Sequence, residues 1–312
     1  MERTNLYEEV NQAKANFDRI YSQTDPRDYF RVLHGLDYVI PDLGKPIFRN
    51  VVAALQRSGK DNPKVLDLGC SYGINAALLR YPLDWERLGQ RYRDMELGGV
   101  KPAELVALDA HYFASWPREF DGSVIGLDVS APAIDYAKRA GLLDNGVAAD
   151  LESGPLGAIG NCVVEGTNLI ISTGCIGYVG SRTFEHLLAA IGQPSPWIAS
   201  FVLRTFGFDA VEKMLSTKGY VTEKLEGVTF VQRRFHSAQE AEDSVKIVRR
   251  RELDPAGKEA EGLLHAEFYL SRPASDVEAE PLSSIVSVTS GAGRSYGRRF
   301  RLASDRKIRL IK

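Results

Sequence analysis

The residues best suited to chemistry lie in one segment, Val65-Leu66-Asp67-Leu68-Gly69-Cys70-Ser71-Tyr72-Gly73, an apolar run interrupted by an acid and ended by a glycine-bounded turn. Gly69 and Gly73 let the backbone come close to a ligand, and Asp67 at the strand's end can accept hydrogen bonds from a ligand's ammonium group or from bound water. A second acid, Asp128 in Gly126-Leu127-Asp128-Val129-Ser130, ends the next strand, where dinucleotide folds keep a ribose-binding carboxylate. A third, Asp150, ends the strand after that, where a carboxylate can accept from an adenine amino group. Three acids at three successive strand ends are hard to obtain by accident. The same turn also matches G-x-S-x-G, the nucleophile elbow of α/β-hydrolases, with Ser71 as nucleophile and His236 or His265 to complete a triad. Against that, the roughly 60 residues before the turn look helical and contain no HGGG-type oxyanion segment. A nicotinamide-binding G-x-G-x-x-G run is also missing, because Ser71 stands where its second glycine would be.

These residues need elements to hold them. Residues 64–69 predict a buried parallel strand entering a tight turn, followed by a helix from about Ile74. Strands over 123–128, 146–150, 168–172 and 197–203 then alternate with helices over 131–140, 182–191 and 208–218. That alternation predicts a doubly wound, mostly parallel α/β sheet of seven strands. Residues 220–225 and 228–235, joined at Gly227, predict an antiparallel edge hairpin; a charged helix over about 238–253 and a strand over 265–270 follow. Ahead of the first strand, Leu6, Val10, Ala13, Phe17 and Ile20 make a helical stripe over residues 5–22, with further helices near 29–40 and 45–58. The domains expected are therefore a helical cap (1–60), a catalytic α/β domain (61–273) carrying a helical insertion at about 81–121, and a flexible basic tail (274–312). Within the insertion, Leu105-Val106-Ala107-Leu108 alone also suits a strand, in which case Asp109 takes the ribose position instead of Asp128.

Taken together, Asp67 to Gly73, Gly126 to Ser130 with the helix after it, and Ala149-Asp150-Leu151 resemble the class I, Rossmann-like methyltransferases that use S-adenosylmethionine (SAM), over roughly residues 60–235. The resemblance implies an enzyme with SAM as cofactor. It implies that Asp67, Gly69, Cys70, Ser71, Tyr72 and Gly73 hold the methionine part, Asp128 with Val129 and Ser130 the ribose, and Asp150 with Leu151 the adenine. Ser172, Thr173 and Gly174 would lie beneath the sulfonium. One departure is the distance of about 60 residues from Asp67 to Asp128, roughly three times the usual spacing, which the insertion accounts for. Within such a fold some relatives consume SAM without moving its methyl, closing the aminocarboxypropyl chain into an azetidine ring and releasing methylthioadenosine. A protein that only binds SAM is a further alternative.

A sulfonium methyl is already activated, so orientation of the nucleophile does most of the work and no catalytic residue is assigned. Ser172-Thr173-Gly174-Cys175 has neither the Asn/Asp-Pro-Pro-Tyr nor the Pro-Cys signature of nucleic-acid methylating enzymes, and no acid for magnesium. A small-molecule acceptor and no metal are expected. Candidate substrate contacts are Tyr29 and His34 in the cap, Tyr178 and His186 after the fourth strand, and Arg204 after the fifth. Each has an ordinary structural role beside the functional one: ring packing for the tyrosines, a satisfied histidine, an ion pair for the arginine.

Composition bounds the rest. With 44% hydrophobic and 26% charged residues the chain is of globular type, and 39 Lys and Arg against 41 Asp and Glu argue against a general polyanion-binding surface. Residues 291–312, however, hold eight basic residues and one acid, so this tail carries +7 and the preceding 290 residues carry −9. Apart from that tail there is no nucleic-acid signature, and its alternating Arg299-Phe300-Arg301-Leu302 and Ile308-Arg309-Leu310-Ile311 also suit strand pairing at a sheet edge or in a homodimer. Cys70, Cys162 and Cys175 form no C-x-x-C pair, which excludes a disulfide framework or zinc site and makes the cytoplasm the expected location. No apolar stretch approaches the ~18 residues of a membrane span.

Overall fold

The computed structural model describes residues 18–288 and the backbone of residues 300–302 and 308–310. Its framework is a sheet of β1 (Val65–Leu68), β2 (Val124–Asp128), β3 (Asn145–Ala148), β4 (Leu169–Thr173), β5 (Trp197–Leu203), β6 (Tyr220–Lys224), β7 (Phe230–Arg234) and β8 (Leu263–Pro273). The order is β3-β2-β1-β4-β5-β8-β6; β1 to β5 run parallel and β8 pairs antiparallel with β5. Every residue of β1 and β5 is buried, which is why both read as near-continuous apolar runs, broken only by Asp67 and Ser200, rather than as alternations. From β1 the chain moves outward through β2 to β3, then returns past β1 to β4 and β5. With right-handed crossovers this reversal puts the connecting helices on both faces, the doubly wound Rossmann-like architecture that the alternation predicts.

The far edge differs from the expected hairpin. β6 and β7 do not pair with each other; both lie along β8, β6 against its second half (Tyr220↔Pro273 to Lys224↔Tyr269) and β7 against its first (Phe230↔Ala266 to Arg234↔Leu263). They form one edge strand interrupted by a loop at Gly227, whose φ of +72° needs glycine. The glycine therefore marks a break in an edge strand, not a chain reversal, and the sheet counts eight strands instead of seven.

The cap comprises α1 (Asp18–Tyr21), α2 (Arg27–Gly35) and α3 (Ile40–Arg57). Most of the stripe expected over residues 5–22 lies outside the described residues. α3 buries Ile47, Phe48, Val51 and Leu55 and packs on α4 (Ile74–Arg80), β4, β5 and β7. Between β1 and β2 the insertion is helical, with α5 (Trp85–Arg93), α6 (Met95–Gly98) and α7 (Pro102–Ala114). This settles the second strand: Leu105 to Asp109 belong to α7, and the buried Asp109 accepts from Arg91 Nε at 2.7 Å, Tyr136 Oη at 2.7 Å and Tyr92 Oη at 3.1 Å. The remaining connections are α8 (Ala131–Arg139), α9 (Ala158–Val164), α10 (Ser181–Ile191), α11 (Asp209–Ser216) and α12 (Ala238–Arg250).

A flexible segment from residue 274 onward does not hold for its first part. α13 (Ala274–Ala279) and α14 (Leu282–Ile285) follow β8 directly, and Leu282, Ile285 and Val286 are buried in the core. Arg272, fully buried, donates to Glu280 O at 2.7 Å and so ties this segment back. Of the basic tail, β9 (Phe300–Leu302) and β10 (Ile308–Leu310) pair antiparallel with one another; the rest lies outside the described residues. No described helix is long and apolar enough to cross a membrane.

Candidate functional site

The order reversal makes β1 the switch point, with β2 on one side and β4 on the other, and in open α/β sheets ligands bind outside the carboxyl ends of the strands at such a point. The turn after β1 leaves the strand through left-handed conformations at Gly69 (φ +71°) and Ser71 (φ +47°) and enters α4 through Gly73 (φ +78°). Gly69 is required twice over. A Cβ there would stand 2.7 Å from Cys175 Cβ, so only glycine lets the turn close against the segment after β4. The turn is held in shape by Asp128, which accepts from Ser71 N with one carboxylate oxygen and from Ser130 N with the other, both at 2.9 Å. Burial raises the Asp128 pKa, and the surrounding backbone N–H groups only partly offset it.

Asp67 sits deeper. It has no exposed surface; Oδ1 accepts from Asn75 Nδ2 at 2.9 Å, while Oδ2 has no partner. Desolvation lifts its pKa to about 7, with the Asn75 hydrogen bond opposing and the Asp128 charge adding to the rise. Asn75 Nδ2 also donates to Thr173 Oγ1 at 3.1 Å, linking the acid of β1 to the end of β4. Asp150 is the opposite case. It is exposed, and a hydrogen bond from Ser153 Oγ lowers its pKa.

Around these groups lies a cavity of about 370 Å³, within the range of small-molecule sites, roughly 300–1,000 Å³. Of the residues singled out from the sequence, Gly69, Cys70, Ser71, Asp128, Val129, Asp150, Leu151, Thr173 and Gly174 line it, as do Tyr29 and Tyr178. Others of that set are elsewhere. Tyr72 points out of the turn and donates to Ile20 O at 2.8 Å and Gln23 O at 3.0 Å; Ser130 caps α8 and donates to Tyr21 O at 2.5 Å. Both moor the chain around Tyr21 instead of facing the cavity. Ser172 donates to Ser200 within the sheet, and Asp67 and Gly73 stay behind the lining.

Two candidate substrate contacts are displaced by local partners. His186, on α10, places Nδ1 2.8 Å from Leu151 O, and buried Arg204 donates to Glu259 Oε2 at 2.6 Å and Asp254 O at 2.9 Å. His34 stacks on Trp85 and meets Arg93 Nη1 through Nδ1 at 2.9 Å, again outside the cavity. Pro41, Asn75, Cys175 and Thr183, which the sequence reading missed, line it, together with Tyr21 and Tyr38 of the cap. Asn75, the second residue of α4 and hydrogen-bonded to Asp67, carried a usable signal; Tyr21 and Tyr38 reach the cavity through tertiary packing of the cap.

The hydrolase alternative fails on geometry. Ser71 Oγ is buried without a hydrogen-bond partner, so no base engages it. His265 instead has Nδ1 3.0 Å from Thr229 Oγ1, and burial with the nearby Arg204 charge lowers its pKa to about 3.

No family model and no curated protein matches the chain. Among solved structures, it is similar to a plantazolicin methyltransferase in complex with a pentazolic desmethylPZN analog and SAH (14% identity, covering 86% of this chain and 98% of that one, TM-score 0.42). It is also similar to magnesium protoporphyrin IX methyltransferase from Synechocystis with bound SAM (14% identity, 73% and 79% covered, TM-score 0.37). A third is precorrin-6y C5,15-methyltransferase from Geobacter metallireducens (8% identity, 68% and 81% covered, TM-score 0.34). Likenesses this distant say nothing about ligand or activity, which must come from the site's own geometry.

Proposed function

We propose that the protein is a SAM-dependent methyltransferase acting on a small molecule. The observation that carries this reading is the joint placement of a glycine turn, Asp128 and Asp150 around one cavity at the switch point of the sheet. The group itself fits what these residues offer. Asp67 Oδ2, behind the lining, is buried and unpaired, the arrangement that a water bridging it to a ligand in the cavity would relieve. Asp128 spends one lone pair of each oxygen on Ser71 N and Ser130 N, which leaves acceptor capacity for ribose hydroxyls. Asp150 and Leu151 stand at the end of β3 for the adenine, and Thr173 and Gly174 lie across the cavity at the end of β4.

When bound, SAM supplies an activated methyl on a cationic sulfur. The chain's task is then orientation: Gly69 lets the turn approach, Asp128 fixes it, and the cap residues Tyr21, Tyr29 and Tyr38 cover the cavity and exclude water. Incubation of the full chain with SAM and a metabolite panel tests the reading. S-adenosylhomocysteine (SAH) should appear only when an acceptor is supplied. Methylthioadenosine formed without any acceptor would point to ring closure instead.

A further inference from the structure

The cavity has a second polar group besides the strand-end acids. Tyr21, Tyr29 and Tyr38 all reach it from the cap, Tyr21 and Tyr29 in edge contact with ring centroids 5.5 Å apart. Tyr38 lines it together with Tyr29 and with Thr173, at the end of β4. The anchoring is firm on both sides: Tyr72 and Ser130 hold the chain around Tyr21, and Val39 N donates to Gln232 O at 2.8 Å beside Tyr38.

The charges are one-sided. Asp128 and Asp150 line the cavity, and among the described residues no lysine, arginine or histidine does. Arg233, whose field reaches Tyr21 and Tyr38, is held by both oxygens of Glu240 at 2.6 and 3.0 Å. A carboxylate or phosphate acceptor would meet no countercharge here, and a hydroxyl acceptor would find no cation to stabilise its alkoxide. A neutral amine meets neither difficulty. Positive charge grows on its nitrogen as the new bond forms, and carboxylates and tyrosine ring faces favour that charge.

We propose that Tyr21, Tyr29 and Tyr38 form the acceptor subsite, that it takes a small neutral amine, and that the Tyr38 hydroxyl orients the nitrogen. This rests on the methyltransferase reading. The nitrogen lone pair forms the N–CH3 bond while the S–CH3 pair returns to sulfur, giving the thioether SAH, and the product ammonium releases its proton to solvent. Burial pushes the Tyr29 phenol well up and the Tyr38 phenol to about 12, so both keep their O–H at neutral pH; the Tyr38 oxygen can accept from an amine N–H and leave the lone pair facing the methyl.

The test uses the full chain, SAM, and matched panels of primary amines, phenols and carboxylates on the same carbon skeletons, with SAH and methylated product read by mass spectrometry. Calorimetry with SAM runs in parallel. The expected result is turnover at least tenfold faster with amines than with either other series. Tyr38→Phe should lower kcat/KM for the amine about three- to tenfold, the worth of one hydrogen bond, with the SAM Kd unchanged. Tyr29→Phe, read the same way with a melting curve for each variant, guards against a folding defect. SAM binding with turnover of phenols or carboxylates in preference, with no amine turned over, or with Tyr38→Phe fully active would overturn the proposal while leaving the cofactor reading intact. No SAM binding would remove the methyltransferase reading and this proposal together.

Discussion

Asp67→Asn should make the protein more stable at alkaline pH and worse at binding its ligand. The wild-type carboxyl is fully buried with Oδ2 unpaired, and its pKa rises from 3.8 to about 7 on folding. A group whose folded pKa is raised in this way holds a proton that the unfolded chain has lost. Its contribution is therefore most favourable below about pH 4 and is lost as pH rises, with the full penalty reached above about pH 7. At 1.36 kcal/mol per pH unit the penalty is of the order of 4 kcal/mol at pH 8.5 and about 1.5 kcal/mol at pH 5. Asparagine keeps the acceptor for Asn75 Nδ2 but brings an amide with no partner, at about 1–3 kcal/mol. The variant should then gain roughly 1–3 kcal/mol over wild type at pH 8.5 and little at pH 5. The difference between the two pH values, about 2–3 kcal/mol, does not depend on the amide cost. Urea unfolding of both proteins at both pH values measures it. A difference under about 0.5 kcal/mol, or one of opposite sign, would refute the reasoning that Asp67 is a buried acid held at the expense of stability.

Two further substitutions test the turn and its anchoring. Gly69→Ala places a Cβ 2.7 Å from Cys175 Cβ at a φ of +71°, and should cost at least about 2 kcal/mol in urea unfolding and abolish SAM binding in calorimetry. Tyr72→Phe removes the hydrogen bonds to Ile20 O and Gln23 O, about 1–2 kcal/mol of local anchoring; limited proteolysis near residues 18–26 should accelerate and SAM affinity should fall several-fold.

The architecture was legible because β1, β2, β4 and β5 are buried over most of their length, so 65–68, 169–173 and 197–203 stand out as apolar runs between helical patterns. The glycine turn and Asp128 were legible for a local reason: glycine and acid fall at strand ends, where chain direction alone brings them to one side of the sheet. Side chains that leave that local frame were not. Tyr72 and Ser130 belong to the right segments, yet their rotamers carry them to carbonyls of the cap. Arg204 is taken by Glu259, 55 residues later. The edge misled for a related reason, since a glycine with positive φ serves a strand interruption as well as a turn, and only the long β8 decides between them.

That the cavity holds SAM is the claim on which the rest depends, and isothermal titration calorimetry of the full chain with SAM and SAH tests it most directly. Micromolar binding of both is predicted, weakened at least tenfold by Asp128→Ala, which frees the turn at Ser71 and removes the ribose acceptor together. Absence of binding by either ligand, or binding that Asp128→Ala leaves untouched, would contradict it.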